Sequence, residues 1–175
     1  MTGRTARVVI AVIALLVSAG WADRRRDPLT EVEIGQLRDA AQDPEQRLKL
    51  FVDFARARLS AMEQTRSDPK AADRTQTTHD RLQDFLDIYD ELNDNLDTFV
   101  ERKADLRKPL KLVIQADAEF QSRLRALKSA PDARSAEASR YEFLLNTALD
   151  SVDTSVSDHR QLLEEQEEAA KQKKK

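Results

Sequence analysis

The sequence predicts an all-α protein: an antiparallel four-helix bundle, preceded by a short helix and a signal peptide. Three observations lead there. Glycine is confined to Gly3, Gly20 and Gly35, so no later glycine serves the turns that β-hairpins and phosphate loops use. Leu, Ala, Glu, Lys, Arg and Gln, which favour helix, dominate the composition. Pro28, Pro44, Pro69, Pro109 and Pro131 each fall at the edge of an apolar stretch with three- and four-residue spacing. Punctuation and periodicity are independent signals, and they agree.

The elements follow in order. Thr30 and Glu33 form an S/T-x-x-E capping box that opens a short helix over about 31–42, with Leu29 placed to staple against Ile34. Asp43 and Pro44 open a second helix, about 44–66, because proline at the first helical position forfeits no hydrogen bond. Its main stripe is Leu48, Phe51, Ala55, Leu59 and Met62, with Leu50, Phe54, Ala57 and Ala61 alongside. The third helix is expected over about 78–103, since Arg74 to Thr78 offers no large apolar residue. Leu82, Phe85, Leu86, Tyr89, Leu92, Leu96, Phe99 and Val100 give its core face. Asp84, Asp87, Asp90, Glu91, Asp94 and Asp97 give an acidic, solvated one. Pro109 either opens a fourth helix, about 109–129, or kinks one long helix. Leu110, Val113, Phe120, Leu124 and Leu127 line it. The last helix, about 133–168, carries Tyr141, Leu145, Ala148, Val152, Val156, His159 and Leu163, with Leu144 and Leu162 beside them.

Residues 1–22 read as the signal peptide. Arg4 and Arg7 precede the apolar run Val8 to Val17, and Gly20-Trp21-Ala22 offers a peptidase site, with Val17-Ser18-Ala19 as a second. The alternative is an uncleaved membrane anchor. Val8 to Ala22 falls short of the roughly 20 residues a spanning helix needs, but Arg24 to Arg26 resist translocation. Residues 23–170 are then one helical domain and 171–175 a basic disordered tail. With no cysteine, a lipid anchor and disulfides are excluded.

Charge narrows the partners. The chain has 29 basic and 32 acidic residues, two of the basic ones in the signal. Leaving out the four lysines of Lys171 to Lys175 as well, the body sets 23 basic residues against 32 acidic ones, a charge of −9. Such a body predicts no nucleic acid partner and no stable association with anionic lipid after signal cleavage. The lysine tail reads as a solubilising end, with contact to an acidic envelope surface as the electrostatic alternative.

Few residues are placed for chemistry. His159 and Met62 lie on apolar stripes of different helices, a pair that could ligate haem iron as in small periplasmic b-type cytochromes, which the chain resembles in compartment and helix count alone. The residues three before His79 and His159 are Gln76 and Val156, so the Glu-x-x-His signature of di-iron bundles is missing. Asp117 stands where periodicity asks for an apolar residue. A buried carboxylate requires a partner, and Arg56, Arg58, Tyr89 and Tyr141 are the candidates. Its expected role is to fix helix register; the functional alternative is a carboxylate facing a ligand cleft. No catalytic motif is present. The sequence thus predicts no catalytic or metal residues, no cofactor, and a non-enzymatic interaction or structural module of the cell envelope with a protein partner. A small-ligand, haem or metal carrier using the bundle core is the alternative.

Overall fold

The computed structural model describes residues 27–131, 135 and 138–172. The signal peptide, the Arg24 to Arg26 triplet and the last three lysines lie outside them. Five helices are described: α1 (Glu31–Asp39), α2 (Pro44–Ser67), α3 (Arg74–Glu101), α4 (Arg107–Lys128) and α5 (Ser139–Gln172). Among the described residues there is no strand.

The helix starts obey local chemistry. Thr30 Oγ1 accepts from the Glu33 amide at 3.3 Å, and the Glu33 carboxylate accepts from the Thr30 amide at 2.8 Å, closing the capping box. Asp43 caps α2 by accepting from the Gln46 amide, with Pro44 at the first position. The break before Pro109 is real. Lys103 takes a left-handed φ of 57°; its amide donates to Val100 O, and the Ala104 amide reaches back to Phe99 O. This pair of bonds is a Schellman motif, which ends α3 outright. Pro109 then sits in the first turn of α4, where amides have no intrahelical partner.

Several expected boundaries shift. α1 ends at Asp39, three residues early, because Asp43 donates to Ala40 O and must turn away to cap α2. α3 begins at Arg74 rather than near 78. Once nucleated, a helix propagates cheaply, and Thr78 is itself buried, its hydroxyl donating to Arg74 O. α5 begins at Ser139 and runs on to Gln172 because its last turns still have work. Gln166 donates to Ala104 O and accepts from the Leu106 amide, which has no side-chain cap of its own.

Each long helix packs against two others, in the closed order α2–α3–α5–α4, and α1 packs on α2. α3 and α4, joined by only five residues, are not a packed pair. The core is continuous and rich in Leu and Phe. Ala57 on the second stripe of α2 is exposed, whereas Val52 and Arg58 are buried. Arg58 ties α1 to α2, donating to the Glu33 carboxylate at 2.6 and 2.9 Å and to Pro28 O. The α2–α4 seam carries a ladder of ion pairs, Arg56 with Glu119 and Arg123 with Glu63 and Glu119. The acidic face of α3 also needs one correction. Asp84 is buried, not solvated, and pairs with Arg81 one turn earlier at 3.0 Å.

Candidate functional site

Helical spacing brings polar side chains into the core at one level. Tyr89 and Asn93 lie one turn apart on α3, and Ser155 and His159 lie one turn apart on α5. Asp117 faces them from α4. Asp117 is wholly buried and His159 is 4% exposed. Three rings wall the level off. Phe85 stacks on Tyr89 at 5.7 Å, and Phe120 meets Phe85 and Tyr89 edge-on at 5.3 and 6.1 Å.

Each polar group has a partner. Tyr89 donates its hydroxyl to Asp117 Oδ1 at 2.8 Å. His159 Nδ1 lies 2.9 Å from Asp117 Oδ2, and His159 Nε2 lies 3.1 Å from Asn93 Oδ1. Asn93 Nδ2 donates to Ser155 Oγ at 3.2 Å. Burial first, then the Asp117 charge beside it, push the Tyr89 hydroxyl far above its ordinary range, so it remains a donor.

The expected partners of Asp117 resolve accordingly. Tyr89 is one. Arg56 goes to Asp53 and Glu119, Arg58 goes to Glu33 and Pro28, and Tyr141 accepts from Arg66. The His159 contact was not anticipated, and Asn93 and Ser155 were missed altogether. The haem pair is not assembled. Met62 is buried on α2, which does not pack against α5, and both ring nitrogens of His159 face protein partners. His79 is half-exposed beside Asp80 at 3.5 Å. Among the described residues no group of three or more His, Asp or Glu side chains is arranged to hold a metal ion.

Several surface grooves flank the bundle, two of them beside α1 and beside the α4–α5 connection. One, of about 740 Å³, runs between α1, α2 and α3 and is lined by Leu29, Ile34, Phe51, Asp87, Asp90 and Asp94 among others. Leu29 and Ile34, the expected staple pair, both line it. Burial, with Asp87, Asp94 and Glu91 nearby, holds the Asp90 carboxyl above its usual range. The other, of about 450 Å³, lies between the end of α4 and the start of α5, beside Tyr141 and Asn146. Neither is lined by Tyr89, Asn93, Asp117, Ser155 or His159.

No protein-family model, curated protein or solved structure matches the chain.

Proposed function

We propose that the chain is an exported, non-enzymatic interaction or structural module of the cell envelope. One observation carries the reading. The side chains with chemical capacity, Asp117, His159 and Tyr89, are consumed by one another in the core, and none of them lines the grooves found among the described residues. Such a network specifies how helices register rather than turning over a substrate. What remains for partners is the outer surface, including Phe143, which is 80% exposed on α5.

The proposed architecture is an up-down-up-down bundle of α2 to α5. Cross-helix pairs support the directions. On α2 and α4 the residue numbers rise together, from Glu45–Lys108 to Arg56–Glu119 and Glu63–Arg123. On α4 and α5 they run oppositely, from Lys111–Glu167 to Arg125–Asp153. In this arrangement α2–α3 and α4–α5 are antiparallel hairpins. The chain crosses the diagonal between α3 and α4, leaving α2 parallel to α4 and α3 parallel to α5.

Export rests on the sequence of residues 1–22, and no described helix is long and apolar enough to cross a membrane. A photo-crosslinking residue at Phe143, followed by N-terminal sequencing, tests the reading. The expected result is a chain recovered from the envelope fraction, shortened after Ala19 or Ala22, with a discrete adduct of higher mass. A full-length cytoplasmic chain would refute export. Absence of an adduct from Phe143 and from the equally accessible Val32 would refute the interaction role. An absorbance band or stoichiometric metal in the purified protein would instead establish a carrier.

A further inference from the structure

α1 packs on α2 and not on α3. The two helices therefore leave a cleft over α2, the groove of about 740 Å³. Its two sides differ in chemistry. Leu29 and Ile34 line it beside α1, and Phe51 lines it from α2. On α3, Asp87, Asp90, Glu91 and Asp94 recur at three- and four-residue steps and so share one face. With Asp27 before α1, five carboxylates line the cleft against two guanidinium groups, those of Arg38 and Arg47. Arg47 is already engaged. It donates to Leu37 O and to Asn95 Oδ1, lies over the Phe51 ring, and takes its electrostatic support from Glu91.

The other acids of the row are left over. Asp87 accepts from the neutral Gln83 amide, and neither Asp90 nor Asp94 has an ion pair among the described residues. The α2–α4 seam is different, because arginines there meet both Glu63 and Glu119. Burial, then Asp87, Asp94 and Glu91, hold the Asp90 carboxyl above its usual range, so a cation arriving from outside relieves repulsion within the row. A bare metal ion does not suit the cleft. The carboxylates are strung along two turns, no metal-holding group is assembled among the described residues, and the apolar side would be wasted. The complementary occupant carries spaced cations on one side and apolar groups on the other.

Resting on the interaction role above, we propose that the cleft between α1 and α3 docks a basic segment of a partner protein in extended form. Alternate Lys or Arg side chains lie along Asp87 to Asp94, and the apolar residues between them lie on Leu29, Ile34 and Phe51. The spacing suits this. Asp87 and Asp94 are about 10 Å apart along the helix axis. An extended chain repeats its same-side residues about every 7 Å and turns the intervening one to the opposite side.

A labelled hexapeptide of alternating Arg and Leu, titrated into the intact chain at low salt, tests the proposal by fluorescence anisotropy and amide NMR. Saturable binding is expected, with shifts confined to residues 87–94 and the neighbourhood of Ile34. Combining Asp87→Asn, Asp90→Asn and Asp94→Asn should weaken it roughly tenfold or more, whereas Asp97→Asn with Glu101→Gln, further along α3, should change it by less than about twofold. A peptide with Ser in place of Leu should bind roughly tenfold more weakly, and one with Glu in place of Arg should not bind. Equal binding of the Ser peptide, indifference to the three Asn substitutions, or shifts outside the cleft would overturn the proposal. So would movement of the same amides without peptide. On replacing Arg24 to Arg26 by Ser, it would make the chain's own segment the occupant; on dilution alone, a second copy. An adduct at Phe143 without peptide binding would remove this cleft and leave the wider interaction role standing.

Discussion

Asp117 on α4 and His159 on α5 meet at 2.9 Å, 42 residues apart in the chain, in a part of the core that water does not reach. Such a pair is costly to halve and cheap to replace whole. Asp117→Leu alone strands the Tyr89 hydroxyl and His159, and should destabilise the protein by about 3–5 kcal/mol. Asp117→Leu with His159→Leu should recover most of that loss, leaving the unfolding midpoint in urea near that of the parent. A double variant as unstable as the single one would show that the pair does more than fix register.

Glu33 predicts an acid-sensitive end. Burial alone would raise its carboxyl above the ordinary value of 4.5, but hydrogen bonds from Arg58 and Thr30 and the Arg58 charge outweigh it and lower it. A depressed carboxyl stabilises the fold fully above its unfolded value and loses that contribution as pH falls through the folded one. Amide protection at Ile34 to Leu37, taken relative to the intrinsic exchange rate at each pH, should therefore fall below about pH 4.5. Glu33→Gln should exchange faster at neutral pH and respond less to acid.

Asp90 has the opposite sign. Its raised carboxyl, from burial and then from Asp87, Asp94 and Glu91, means that stability falls as pH rises through the folded value. Asp90→Asn should raise stability at neutral pH by roughly 0.5 kcal/mol, the sum of a like-charge pair or two on a helix face. The gain should shrink in about 1 M salt, where screening acts within about 3 Å. A gain independent of salt would assign the effect to packing instead.

Gln166 clamps the turn between α3 and α4 from the far end of α5, at 2.9 Å to the Leu106 amide and 3.2 Å to Ala104 O. Gln166→Ala removes the side-chain partner of the Leu106 amide, leaving Asp105 on the Arg107 amide, and should cost about 1 kcal/mol. Hydrogen exchange should report it first at the Leu106 amide, ahead of the core amides of α3.

Much of this was legible in the sequence. The five helices and the anomaly of Asp117 follow from periodicity and punctuation, whereas Pro109 left a new helix and a kink both open until the left-handed Lys103 decided for the break. The pairing of Asp117 with His159 did not follow, because a stripe gives a residue's face but not the height at which it meets another helix. Asn93 and Ser155 left a signal that went unread. Asn93 lies four after Tyr89 and three before Leu96, and Ser155 lies three after Val152 and four before His159. Both are small polar residues in phase with the apolar stripe, which marks a position meant to be both buried and bonded. Asp84 misled in the other direction. It lies next to the acidic row, but Arg81 a turn away lets it turn inward.

The left-handed residue at Lys103 has a consequence for how far this protein sits from its thermal limit. The Schellman position it occupies usually belongs to glycine, which alone among residues meets no clash there. Lys103 is exposed, and removing its side chain relieves about 1 kcal/mol of steric opposition. Lys103→Gly should raise the melting temperature by a few degrees. The turn thus holds unspent tolerance to heat, on which riskier changes to the buried polar groups around Asp117 could be made and still fold.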